Sequence, residues 1–233
     1  MSRREELAAG LQQTQARIAD ACAAAGRDPS EVTLTVVTKY FPTSDVRLLA
    51  DLGVTDVGEN RHQEAEAKAA ETADLGLRWH YIGGLQSNKA AAVARYADIV
   101  ESVDRAKLVT GLSRGAAERE TALPCLIQVS LDPPEQREGR AGVRPEELAA
   151  LAEAIVAADH LQLAGLMAVA PLGSEPDEAF ARLAEVAADF RQAHPDATVL
   201  SAGMSGDLDE AIRHGATHVR IGRAVLGERP SVQ

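Results

Sequence analysis

Lys39 is the residue whose type and place most invite chemistry. It closes the run Thr33-Leu34-Thr35-Val36-Val37-Thr38-Lys39, whose β-branched side chains read as a buried strand over 33–39. An ammonium at such a strand end is costly to bury unless it is paired, neutralised or used covalently. Of the 24 Lys and Arg residues, only Lys39, Lys68, Lys89 and Lys107 are lysines. A chain that favours arginine thus places here the cation that can lose its proton and condense with an aldehyde. Strand position alone also allows a lysine that snorkels to solvent.

Two glycine-containing segments near the other end have anion-binding character. Leu200-Ser201-Ala202-Gly203-Met204-Ser205-Gly206-Asp207 combines glycines with hydroxyls ahead of a predicted helix. Arg220-Ile221-Gly222-Arg223-Ala224 repeats the pattern. Glycine lets the backbone approach an anion, hydroxyls donate, and a helix start supplies free N–H groups. Either segment alone also reads as a tight turn.

The elements that must position these residues alternate in type. A leading helix over 3–25 ends at Gly26, and strands are expected at 33–39, 56–59, 78–83, 99–103, 125–131, 163–168, 198–201 and 218–221. Helices are expected at 44–52, 61–73, 88–95, 104–119, 145–158, 177–193 and 207–214, with Ser44 and Asp104 as caps and a short helical turn after the last strand. Eight βα units after one extra helix predict an α/β fold, a single (β/α)8 TIM barrel over 1–233. A doubly wound sheet would carry fewer strands, and a nucleotide-binding version needs a glycine-rich first loop; Tyr40-Phe41-Pro42 stands there instead.

A barrel builds its site from the C-terminal strand ends. Those ends read Lys39, Glu59-Asn60, His80, Ser102 to Asp104, Gln128 to Ser130, Met167, Ser201 to Ser205 and Arg220 to Gly222. Alternation puts Thr35, Val37 and Lys39 on one face of the first strand, and His218, Arg220 and Gly222 on one face of the last. The loops after strands 7 and 8 are where barrels commonly hold phosphate. A mouth-facing lysine with two such loops predicts an aldehyde that carries a phosphate, pyridoxal 5′-phosphate.

The bulk composition narrows the partners. A net charge of −11 and a pI near 5.0 argue against nucleic-acid and anionic-membrane surfaces. Aromatics at 3% beside abundant alanine predict helices packed through small side chains. No apolar run reaches the length of a bilayer span, and the start is an amphipathic helix, not a signal core. Cys22 and Cys125 have no metal spacing and read as reduced thiols of a cytoplasmic protein. No His, Cys, Asp or Glu cluster has metal-ligand spacing, so no metal is expected. Among the other polar residues, His80 reads equally as an acid/base group or a structural hydrogen-bonding histidine. Glu59 reads as a capping carboxylate before a general base, and Asn88-Lys89 as a solvated helix start before an anion contact.

These blocks together resemble the YggS/PROSC family, the pyridoxal phosphate homeostasis proteins, over nearly the whole length. The matching pieces are Val36 to Lys39, Gly58-Glu59-Asn60 with Gln63-Glu64, Trp79 to Gly83 with Leu85 to Lys89, and Ser102-Val103-Asp104. Gly165-Leu166-Met167, Leu200-Ser201 with Gly203-Met204-Ser205 and Asp207, and Val219 to Gly222 with Gly227 complete the set. The resemblance implies the barrel of the alanine racemases, no turnover, and a role in buffering the cofactor or delivering it to apo-enzymes. It implies Lys39 as the Schiff-base lysine, with Ser201, Gly203, Met204, Ser205, Gly222 and Arg223 at the phosphate. It further implies Arg220 near the pyridine nitrogen, and Asn60 and His80 near the ring; Met167 joins the cofactor-binding set. The chain departs from the family's usual residues at Ala202, often Met, at Arg223, often Thr, at Ser130, often Asn, and at 137–139, often a Lys-containing turn. Arg223 either replaces a hydroxyl donor with charge or points away and leaves that donor to the backbone.

The alternative function is an amino-acid racemase or lyase. Racemisation needs a base on each face of the substrate carbon. In alanine racemases the second base comes from a further domain of the partner subunit, and no such domain is expected between the last strand and Gln233. An arginine at the ring nitrogen keeps its own proton and leaves the ring a poor electron sink. The expectation is therefore a non-catalytic carrier that acts as a monomer.

Overall fold

A computed structural model describes residues 1–133 and 141–228. Its strands are β1 (Thr33–Val37), β2 (Asp56–Glu59), β3 (Arg78–Tyr81), β4 (Ile99–Val103), β5 (Leu123–Ser130), β6 (Leu161–Val169), β7 (Val199–Ser201) and β8 (His218–Ile221). All pair in parallel in sequence order, and β8 returns to β1 to close a barrel, so the predicted fold is found. The helices are α1 (Arg3–Ala24), α2 (Thr43–Asp51), α3 (His62–Glu71), α4 (Ala90–Tyr96), α5 (Ala106–Ala116), α6 (Leu148–Val156), α7 (Pro176–Ala193), α8 (Leu208–Arg213) and α9 (Arg223–Leu226).

The leading helix α1 starts in a capping box, in which the Ser2 hydroxyl accepts from the Glu5 N–H and the Glu5 carboxylate accepts from the Ser2 N–H. It buries Leu7, Leu11, Thr14, Ile18, Ala21 and Cys22, the stripe expected at a helical period. That stripe packs with Val36, Leu49, Val57, Ile212, Val219 and Ile221 in one apolar cluster. A second cluster joins β4, β5 and β6 to helices α4 through α7. A methyl group on Gly10 would lie 2.6 Å from the Val225 carbonyl, so α1 sits on α9 as closely as a backbone can.

Several boundaries differ from expectation. β1 stops at Val37 because a turn takes over: the Phe41 N–H donates to the Thr38 carbonyl, and Tyr40 adopts φ 73°. Lys39 lies in that turn, beyond the strand tip. α2 follows Pro42 and starts at Thr43, so Ser44 is not its cap. α5 follows Arg105, so Asp104 is not its cap either. The altered block at 137–139 lies outside the described residues. Among those residues no helix is long and apolar enough to cross a membrane.

Candidate functional site

The mouth holds a cavity of about 370 Å³, within the range of small-molecule sites. One wall is Lys39 with Val37, Phe41 and Ile82; the other is Met204, Ser205, Gly206, Asp207, Arg220, Gly222 and Arg223. Lys39 is half-buried and makes no hydrogen bond or ion pair among the described residues. The turn that carries it is fixed from beneath. The Lys68 ammonium donates to the Thr38 carbonyl at 2.9 Å, to Glu59 Oε1 at 2.6 Å and to Glu64 Oε1 at 2.7 Å. The Thr38 hydroxyl also donates to Glu59 Oε1, at 2.8 Å, and the Tyr40 N–H donates to Glu64 Oε1 at 2.7 Å. Both neighbours of Lys39 are therefore tied to one buried charge cluster.

The opposite wall is a set of donors without protein partners. Among the described residues, the N–H groups of Ser205, Gly206, Arg223 and Ala224 donate to nothing, and neither the Ser205 hydroxyl nor the Arg223 guanidinium has a partner. The loop before α8 is shaped locally. Gly203 has φ 92°, and a side chain there would meet the Ala211 methyl at 2.6 Å. The Asp207 carboxylate accepts from the Met204 N–H at 2.6 Å. From outside, Arg17 of α1 donates to the Ser205 carbonyl at 2.6 Å and forks onto Asp209 at 3.1–3.2 Å and 2.6 Å. The extra helix thus braces the donor wall, a role its sequence pattern did not announce.

Beneath the cavity the barrel interior is polar, where a TIM barrel is usually filled by branched apolar side chains. Asp56 Oδ1 lies 2.9 Å from His80 Nε2, and Glu101 Oε1 lies 2.7 Å from His80 Nδ1. The Ser201 hydroxyl donates to Glu101 Oε2 at 2.6 Å and accepts from Arg220 at 2.7 Å. Arg220 also donates to the Ala168 carbonyl at 2.8 Å. Burial opposes the His80 imidazolium, yet the hydrogen bonds to Asp56 and Glu101 and their charges push His80 up to about 9. Burial likewise opposes the Glu101 carboxylate, but His80 and then Arg220 and Ser201 hold it down to about 2. His80 is thus a buried residue that hydrogen-bonds two carboxylates, which favour its protonated form.

The structure gathers Lys39, Met204, Ser205, Arg220, Gly222 and Arg223 around one cavity. It places the other expected cofactor residues elsewhere. His80 and Met167 are 1% exposed and Ser201 is 0% exposed, all inside the barrel and none on the cavity wall. Ser201 faces Glu101 and Arg220 there, not an open phosphate site. Gly203 sits in the turn behind the wall, where its carbonyl accepts from the Arg220 N–H. Asn60 lines a neighbouring groove with Lys89, Gln86 and Tyr81. No site role was read from the sequence for Glu64, Lys68, Glu101 or Arg17. The signal for the first two was an i,i+4 acid–lysine pair in a chain with few lysines.

The cavity's donor set fits pyridoxal phosphate: an unpaired amine on one wall, and unpaired N–H, hydroxyl and guanidinium donors on the other. A parallel barrel with a lysine and an anion cradle at its mouth defines a class of cofactor-holding barrels. The family model for the alanine racemase N-terminal domain matches residues 11–230. A pyridoxal phosphate homeostasis protein of Pseudomonas aeruginosa is 43% identical, over 96% of each chain. Another, from Mycobacterium bovis, is 41% identical over 97% of this chain and 94% of its own. The solved structure of PipY from Synechococcus elongatus, with pyridoxal phosphate bound, superposes with a TM-score of 0.76 at 37% identity, over 90% of this chain and 100% of PipY. The chain belongs to the alanine racemase N-terminal domain family, and within it to the pyridoxal phosphate homeostasis proteins.

Proposed function

We propose that this chain binds pyridoxal 5′-phosphate at the barrel mouth and serves as a cytoplasmic reserve that releases it to apo-enzymes without turnover of its own. The observation that carries the reading is the unpaired Lys39 amine in one cavity with the unpaired donors of the loops after β7 and β8. When bound, the cofactor supplies an aldehyde that condenses reversibly with an amine. Lys39 is the lysine on this cavity's wall: Lys68 is buried in ion pairs, Lys89 lines the neighbouring groove and Lys107 is exposed on a helix. Ser205, the free N–H groups and Arg223 would hold the phosphate. Arg223 stands where the family often has threonine, and its exposure at the rim suits a charge contact in place of a hydroxyl.

Arg220 supports the absence of turnover. It is buried, fixed by Ser201 and Ala168, and faces the same cavity. A guanidinium can donate a hydrogen bond to a ring nitrogen but does not hand over its proton. That leaves the ring unsuited to draw electrons from an attached amino acid. The two buried free thiols suit a reducing compartment. We take the working species to be a monomer, which light scattering of the purified protein tests.

The experiment is the absorbance spectrum of the purified protein with added cofactor, followed by chiral analysis of L-alanine incubated with the loaded protein in deuterated water. A yellow, protein-bound chromophore with no α-deuterium uptake is expected. Rapid exchange with inversion would make the protein an enzyme and overturn the carrier reading.

A further inference from the structure

We propose that Lys68, Glu59 and Glu64 form a clamp whose task is to hold Lys39 in position for the aldehyde, making Lys68 and Glu64 positioning residues of this site; the inference rests on the cofactor reading above. The clamp is more than a surface ion pair. Lys68 and Glu59 side chains are 6% and 1% exposed, and one ammonium reaches two carboxylates and a main-chain carbonyl. A buried lysine on a helix has many places to find a carboxylate. This one instead ties α3 to Thr38, and the Glu64 it pairs with holds Tyr40, so both residues that flank Lys39 are anchored.

The backbone there needs holding. Tyr40 has φ 73°, a region that suits glycine and strains a bulky side chain. Such a residue persists only where its surroundings over-determine it. The Tyr40 N–H is fixed by Glu64, and its ring lies under the Arg61 guanidinium at 4.9 Å. Thr38 is fixed twice, by its hydroxyl to Glu59 and by its carbonyl to Lys68. Lys39 sits between two anchored residues while its own side chain stays free of partners. That is the arrangement expected of a reactive amine that must be placed without being paired.

The clamp does not touch the donor wall, and this separates its role from general folding. The test compares two ligands that differ at one group. Pyridoxal 5′-phosphate has the aldehyde; pyridoxine 5′-phosphate has an alcohol there and the same phosphate. Glu64→Ala is expected to weaken the aldehyde ligand about tenfold or more and leave the alcohol ligand unchanged, the loss of one charge-assisted hydrogen bond at the turn. Glu64→Gln keeps the oxygen that accepts from Tyr40 and should restore most of the loss. Lys68→Met should weaken the aldehyde ligand further, and slow its borohydride fixation at Lys39. Hydrogen exchange of the Tyr40 N–H should quicken in Glu64→Ala but not in Glu64→Gln. Equal weakening of both ligands, or none of either in Glu64→Ala, would overturn the clamp. A wild-type protein that binds neither ligand would overturn the cofactor reading itself.

Discussion

Glu59 on β2 and Glu101 on β4 are both buried strand carboxylates, and their protonation is pushed in opposite directions. Glu101 uses both oxygens, one on His80 and one on Ser201. Those partners more than offset its burial, and the group is held down to about 2. Glu59 uses one oxygen, on Lys68 and Thr38, while its Oε2 is buried without a partner. Burial therefore outweighs the Lys68 attraction, and its carboxyl is raised above the ordinary value of 4.5. The surrounding charges differ in the same sense. In the barrel interior the signs alternate from Asp56 through His80 and Glu101 to Arg220, whereas the clamp sets two carboxylates around one ammonium. The interior network is complete and reads as a rigid strut under Arg220. The clamp is incomplete and holds the turn that carries Lys39. Burial alone did not decide either case; the number of satisfied oxygens did.

The sharpest break of this comparison is a pair of substitutions. Glu101→Gln leaves His80 with Asp56 alone and takes the Glu101 charge from buried Arg220, and should destabilise by about 3–5 kcal/mol. Glu59→Gln removes an anion that folding already disfavours and should change stability by less than about 1 kcal/mol; urea unfolding of both variants measures the contrast. Next in size is Ser205→Ala on the donor wall. It should weaken pyridoxal phosphate by about 1.5–3 kcal/mol and unphosphorylated pyridoxal far less, as titration of both would show.

The pH dependence tests the interior network directly. His80 is raised from 6.5 to about 9, so its contribution is fully present below pH 6.5 and is lost as pH rises through about 9. Glu101 is lowered from 4.5 to about 2, so its contribution is present above pH 4.5 and is lost as pH falls through about 2. The alkaline loss should vanish in His80→Gln, and its persistence would mean that another group carries it. Smallest is Arg17→Ala, which loosens the Ser205 loop from α1. It should reduce cofactor affinity by about 1 kcal/mol and leave unphosphorylated pyridoxal unaffected.

The fold was legible because its signals are local. β-branched runs and helical stretches alternate, and eight such units leave few ways to bury them. That Lys39, Ser205, Gly222, Arg220 and Arg223 would share one cavity was legible because a barrel puts strand ends at one mouth. The same rule does not give depth: Ser201, His80 and Met167 also lie on strands, yet they are buried in the barrel interior and none lines that cavity. Depth along a strand depends on register between strands, as in the pairing of Met167 with Ser201, and no single-strand pattern encodes it. The clamp was missed for a related reason. Glu64 and Lys68 show in the sequence only as an i,i+4 pair on a helix, and it is the way α3 packs under the Thr38–Phe41 turn that makes them an anchor.

The central claim is that Lys39 is the amine that holds the cofactor. Borohydride treatment of the loaded protein, proteolysis and mass mapping test it most directly. The reduced cofactor is predicted on the peptide that contains Lys39, with none retained after Lys39→Ala. Label on Lys68, Lys89 or Lys107 that survives Lys39→Ala would contradict the account.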